Sequence, residues 1–231
     1  METITSIPKP KKTKVVQKDK KTAVFEIAGL YPGYGNTLGN ALRRVLLSSL
    51  PGVAIYQIKI KGVKHEFSTI PLIKEDVIEI MLNLKQVRFK AISSKDNEFK
   101  GEIKVKGEKE VKAGDFKLDS GIEVVNPDLK IATLTNKKAE FGLEVKINRG
   151  LGYIVSEQQD KKNVEIGVIP IDAIYTPVRK VGFETENMRV DRRTDFDRLR
   201  LEVETDGTIK PEEAFNQAID ILQKQLEKIR V

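Results

Sequence analysis

The chain has 231 residues, of which 39% are hydrophobic, enough to bury a core in one large or two small domains. With no cysteine and one histidine it excludes disulfides, the usual zinc ligand sets and Cys/His nucleophilic catalysis. No apolar run approaches the roughly 18 residues of a membrane span, and the lysine-rich start lacks the hydrophobic segment of a signal peptide, so a cytoplasmic location is expected.

The net charge of +7 is concentrated at the start, where residues 1–21 hold seven lysines against Glu2 and Asp19. With Pro8 and Pro10 among them, these residues read as a basic, disordered tail. The alternative is a stand-alone nucleic-acid-binding dimer that uses the lysines for salt-sensitive affinity.

Ala23 to Ala28, AVFEIA, alternates as a strand does, and GLYPGYGNTLG then reads as a turn. Gly33, Gly35 and Gly39 match neither the dinucleotide fingerprint nor the Walker spacing with its lysine. The following run to Pro51 is helical. At about 100° per residue, Leu38, Ala41, Leu42, Val45, Leu46 and Ser49 fall in one core-facing stripe. Asn40, Arg43, Arg44 and Leu47 fall on the far side. Leu47 there is either an ordinary exposed leucine or a contact. Thr37 is the expected N-cap, and Pro51-Gly52 ends the helix.

Val53 to Lys61 alternates as a half-buried strand, and Gly62 predicts a hairpin returning over Val63 to Phe67. His65, in HEFSTIP, has no neighbouring nucleophile or ligand and reads as structural. Lys74 to Leu84 brings Val77, Ile80, Met81 and Leu84 together at helical spacing, with Glu75 and Asp76 in the first turn and Lys85 at the negative end. From Phe89 to Val155 short alternating segments broken by AGD and VNPD predict antiparallel strands with one wet face.

In DRRTDFDRL, Asp195 and Asp197 share one face of a strand with Asp191 nearby. Such carboxylates can bind magnesium. Three interleaved arginines (Arg192, Arg193, Arg198) and the lack of a phosphate-binding element favour a structural cluster. Leu199 to Thr205 is a strand, with Asp206-Gly207 as a hairpin turn and Thr208-Ile209 as its return. A last helix opens at Pro211, carries Glu212 and Glu213 in its first turn, and aligns Phe215, Ala218, Ile219, Leu222, Leu226 and Ile229 in one apolar stripe.

The run LGNALRRVLLSSLPG, Leu38 to Gly52, resembles the signature helix of the alpha subunit of bacterial DNA-directed RNA polymerase. HEFSTIP, VNPDLKIATL, RGLGYIVSE and DRRTDFDRL resemble that family in wording and order. Departures are Tyr31 and Pro32, where the family has an acidic and a basic residue before GYG, and Arg192 in place of the usual glutamine. The resemblance is to the amino-terminal, dimerisation and assembly part. It implies an α+β fold: a discontinuous dimerisation domain of an antiparallel sheet plus two helices (residues 22–51 and 176–231), with an inserted, mostly antiparallel β domain at 52–175.

The function it implies is a homodimer that scaffolds polymerase assembly, one copy engaging the β subunit and the other β′, with omega and sigma in the complex. DNA is then reached only through the assembled enzyme, no membrane is involved, and the chain carries no catalytic residue, cofactor or metal. By the same resemblance Arg44, Leu47 and Arg43 dock the β subunit, and Lys85 and Ile171 dock β′. Leu38, Leu42, Leu46, Phe215, Ile219, Leu222, Leu226 and Ile229 form the dimer interface. Family members continue into a carboxy-terminal DNA-binding domain, whereas this sequence ends at Val231, so promoter contact of that kind is not expected.

Overall fold

The computed structural model describes residues 7–92, 96–159 and 167–230. In chain order the first elements are β1 (Lys14–Gln17), β2 (Thr22–Leu30), α1 (Tyr34–Ser48), β3 (Pro51–Ile60) and α2 (Val77–Leu84). Next come β4 (Phe89–Ala91), β5 (Glu98–Lys106), β6 (Lys109–Lys112), β7 (Lys117–Leu118), β8 (Ile122–Val124) and β9 (Lys130–Leu134). The remainder are β10 (Glu140–Leu151), β11 (Tyr153–Ile154), β12 (Val168–Pro170), β13 (Ala173–Ile174), β14 (Val178–Val190), β15 (Arg193–Thr205) and α3 (Pro211–Lys228). This is an α+β chain whose strand pairs are antiparallel. It divides into one unit of residues 1–50 and 176–231 and a second of 51–175.

The first unit is a four-stranded sheet in the order β1-β2-β15-β14. Alternation in its central strands sends Ala23, Phe25, Ile27, Leu199, Leu201 and Val203 to one face and Glu26, Arg198, Arg200 and Glu202 to the other. α1 and α3 cover the apolar face, contributing Leu42, Leu46, Ala214, Phe215 and Ala218 to a single core. The rings of Phe25 and Phe215 stack with centroids 4.2 Å apart and planes 6° from parallel. Full burial of a phenylalanine stabilises by about 1.5–3 kcal/mol, so this pair anchors α3 to the sheet.

Two expectations are corrected here. Part of the basic segment is ordered: β1 pairs with β2, Lys14 opposite Glu26 and Val15 opposite Phe25, and the Lys11 amide donates to the Ala28 carbonyl at 2.8 Å. The free edge of β2 satisfies these backbone groups, and lysines are tolerated on an edge strand. Residues 1–6 of the expected tail lie outside the described residues. The hairpin partner of β15 is β14, which turns at Asp191 (φ 52°), not Thr208-Ile209. Asp206 Oδ1 instead accepts from the Thr208 amide at 3.0 Å and hydroxyl at 2.6 Å, a local turn that feeds the chain into α3.

In the second unit a five-stranded sheet runs β12-β3-β10-β5-β7. The register against β10 skips Tyr56, pairing Ile55 with Ile147 and Gln57 with Lys146. This bulge puts Ile55 in the same core as Ile58 and Ile60, where strict alternation had separated them. Val63 to Phe67 forms no return strand: Gly62 (φ 83°) turns the chain away, and β3 pairs with β10 and β12. His65 Nδ1 lies 3.2 Å from the Ser68 hydroxyl, a local structural contact.

α2 begins at Val77, the first of its apolar residues and later than the expected start at Lys74, because Asp76 caps it by accepting from the Glu79 amide at 2.7 Å. Glu75 is not a first-turn acid. It is buried, accepting from the Thr133 amide at 2.6 Å and hydroxyl at 2.9 Å, with the Lys130 ammonium at 3.0 Å. Burial works to raise its carboxyl, but the Lys130 and Thr133 hydrogen bonds outweigh that and hold it below the ordinary glutamate value.

Candidate functional site

α1 presents the first candidate surface. Its N-cap, Gly33, adopts a left-handed conformation (φ 87°) and carries no side chain to receive the orphan amides of the first turn. Asp197 of β15 receives them: its Oδ2 accepts from the Gly33 and Gly35 amides, each at 2.9 Å. Thr37, the expected cap, donates instead to the Gly33 carbonyl at 3.2 Å. Gly35 and Gly39 let the helix lie close on β14; an added Cβ would come within 2.5 Å of Thr185 Cγ2 at the first and 2.6 Å of the Phe183 ring at the second.

Asp195 and Asp197 therefore serve different ends. Asp195 is exposed and held by Arg193, Nε to Oδ1 at 2.9 Å and Nη2 to Oδ2 at 2.5 Å, which keeps its carboxyl below the usual range. The same guanidinium lies 5.7 Å from the Tyr31 ring centroid and 5.3 Å from that of Phe196. Among the described residues no group of three or more His, Asp or Glu is placed to hold a metal ion.

With its N-terminus clasped by Asp197, α1 turns Arg43 and Arg44 outward. Both are exposed, and among the described residues neither guanidinium has a hydrogen-bond or ion-pair partner. Leu47 is half-buried and packs against the core of its own unit, so it is neither a freely exposed leucine nor a wholly outward-facing one. Leu38 is likewise half-buried. Leu42 and Leu46, expected at a dimer interface, are 4% and 0% exposed and belong to the protomer's own core, because the sheet already covers that stripe.

The stripe on α3 splits in two. Phe215, expected at the interface, is 4% exposed and stacks on Phe25 in the core of its own protomer. Beyond Ala218 the sheet no longer covers the helix. Ile219, Leu226 and Ile229 are 38%, 55% and 73% exposed and Leu222 half-buried, forming an apolar strip flanked by Gln223, Glu227 and Arg230.

The second unit places Lys85 at the C-terminal cap of α2. Its ammonium donates to Asp172 Oδ2 at 2.8 Å, so it serves a carboxylate and not only the helix dipole. Asp172 also accepts from the Tyr153 hydroxyl and the Ser156 amide, both at 2.9 Å. The Lys85 hydrogen bond, aided by these donors, holds the Asp172 carboxyl well below the usual aspartate range. Ile171 is 1% exposed and lies in the core of this unit, so its side chain offers no docking surface in this conformation. Sequence reasoning missed Asp172 and Tyr153; no local pattern marks an aspartate as a hub for donors 16 to 87 residues away.

An antiparallel sheet backed by two helices and interrupted by a second antiparallel unit defines a discontinuous α+β protein. Residues 58–176 match the family model described as the RNA polymerase Rpb3/RpoA insert domain. The DNA-directed RNA polymerase subunit alpha of Phocaeicola vulgatus is 47% identical over 220 residues, covering 95% of this chain and 66% of that protein. That of Flavobacterium psychrophilum is 48% identical over 216 residues, covering 93% and 65%. That of Symbiobacterium thermophilum is 45% identical over 220 residues, covering 95% and 69%. The chain belongs to the RNA polymerase alpha subunit family and corresponds to its amino-terminal part, spanning about two thirds of the length of these relatives.

Proposed function

We propose that this chain acts in DNA-templated transcription as a non-catalytic subunit of a cytoplasmic RNA polymerase, forming a homodimer that receives the β and β′ subunits. The observation that carries the reading is the uncovered half of α3. Ile219, Leu222, Leu226 and Ile229 continue the core stripe past the edge of the sheet that buries Phe215, and a second copy brings the same strip about a two-fold axis. Apolar burial there contributes about 25 cal/mol per Å², less the ordering cost.

The β subunit is assigned to the outward face of α1. Arg43 and Arg44 are exposed cations without a partner among the described residues, on a helix fixed by Asp197; they suit charge-assisted hydrogen bonds, and Leu47 adds apolar surface beside them. The β′ subunit is assigned to the face around Lys85.

Mixing the chain with β and β′ and sizing the products tests the reading. Arg44→Ala should leave a dimer that fails to capture β, and Leu226→Asp should give folded monomers. Normal capture of β by Arg44→Ala overturns the assignment of α1, and an intact Leu226→Asp dimer overturns that of α3.

A further inference from the structure

Lys85 is a poor direct contact for a partner: its side chain is 24% exposed, and its ammonium is already committed to Asp172. Asp172, 25% exposed, gathers donors from three places in the chain: Lys85 closing α2, Tyr153 on β11 and the Ser156 amide just after it. The backbone around this carboxylate is fastened independently. β11 pairs with β13, Tyr153 opposite Ile174, and the Tyr175 amide donates to the Gly152 carbonyl at 2.9 Å. Gly150 admits the Tyr175 ring where a Cβ would come within 2.7 Å of it, and the Tyr175 hydroxyl reaches Asn148 Oδ1 at 2.6 Å.

The side chain this framework holds out is Tyr153. It is 55% exposed, yet its hydroxyl is fixed by Asp172, so a large amphipathic ring is offered in one orientation. Hydrogen bonding to Asp172 also raises the phenol's tendency to keep its proton, so it remains a donor. A pre-oriented aromatic ring loses little conformational entropy on binding, and such rings are favoured anchors at protein interfaces.

We infer that Asp172 is the positioning residue of the β′-docking face: Lys85 acts through it, and Tyr153 is the side chain that meets the β′ subunit. The inference rests on the assignment of β′ to the Lys85 face. It differs from direct docking by Lys85 in the sign of one effect. Removing the Asp172 charge frees the Lys85 ammonium, which helps a direct contact and harms one that works through Asp172.

The test is capture of β′ by the full chain pre-assembled with β, comparing wild type with Lys85→Ala, Asp172→Asn, Lys85→Ala/Asp172→Asn, Tyr153→Ala and Tyr153→Phe. The expected result is a loss of about tenfold in affinity for either charge variant and no further loss in the double, as for two groups acting as one unit. Tyr153→Ala should lose at least as much, with dimer size and capture of β unchanged. Tyr153→Phe, which keeps the ring and removes only its tether, should fall between and supplies the answer if Asp172→Asn does not fold. Undiminished capture by Asp172→Asn or Tyr153→Phe beside failure of Lys85→Ala overturns the inference and leaves the β′ assignment standing. Normal capture by Lys85→Ala, Asp172→Asn and Tyr153→Ala alike overturns both.

Discussion

The Asp197 carboxylate binds the Gly35 amide at 2.9 Å across 162 residues of sequence, and with the Gly33 amide it closes the start of α1. A helix whose own N-cap is glycine gains its cap from the neighbouring strand. The strand that lines the core therefore also fixes the helix that carries Arg43 and Arg44.

Replacing Asp197 by alanine should leave the Gly33 and Gly35 amides without this acceptor, at a cost of about 1–3 kcal/mol for buried donors left unpaired. Asp197→Asn keeps one acceptor oxygen and should cost less. Urea unfolding of the three proteins checks the order.

Gly39→Ala sets helix propensity against packing. Alanine in a helix interior is favoured over glycine by about 1 kcal/mol, but a Cβ at position 39 would lie 2.6 Å from the Phe183 ring. Overpacking of that kind costs about 1–3 kcal/mol, so a net loss of stability is expected. A rise in melting temperature would show that the Phe183 ring can move aside.

Leu72 is held at φ 64°, a region that costs a residue with a Cβ about 1–2 kcal/mol. Leu72 is 45% exposed, so removing its side chain gives up less burial than at a core position. Leu72→Gly should raise stability by about 0.5–1 kcal/mol, measured by denaturant unfolding.

Acid should weaken the second unit through Glu75 and Asp172, whose carboxyls are held below their ordinary values. A lowered folded value means that the unfolded state binds more protons as pH falls. The stability these groups contribute is complete above the ordinary carboxylate values and is lost as pH drops through the lower folded ones. Glu75→Gln should be less stable at pH 7 but lose less between neutral and acid pH, as read from urea midpoints across that range.

Two aromatic and aliphatic positions on α3 separate folding from association. Phe215→Ala removes the partner of Phe25 and should cost about 3–5 kcal/mol of folding stability. Leu226→Asp, on the exposed strip, should leave the protomer folded while shifting its sedimentation to that of a monomer, and should lower the melting temperature only by the contribution of association, seen as a loss of its dependence on protein concentration.

The helices around residues 38–48 and 211–228 and the strand beginning at Val53 were legible because apolar periodicity is a property of adjacent residues. Pro211 at the start of α3 and the core stripe of Leu42 and Leu46 were read from the same local rules. The strand reading of DRRTDFDRL placed Asp195 and Asp197 on one face; it could not say that the first is exposed and the second buried, nor which amides Asp197 meets. The bulge at Tyr56 was hidden because it depends on the register of β10, a strand about ninety residues later.

By itself the sequence determined the fold class, the two helices and, through long matching runs, the family. Only the tertiary structure decided which side chains remain available to a partner: it took Leu42, Leu46, Phe215 and Ile171 into cores, gave Glu75 to Thr133 and Lys85 to Asp172, and left Arg43, Arg44 and the end of α3 uncovered. Periodicity shows which face of an element is apolar, but whether that face is already covered depends on where distant strands end.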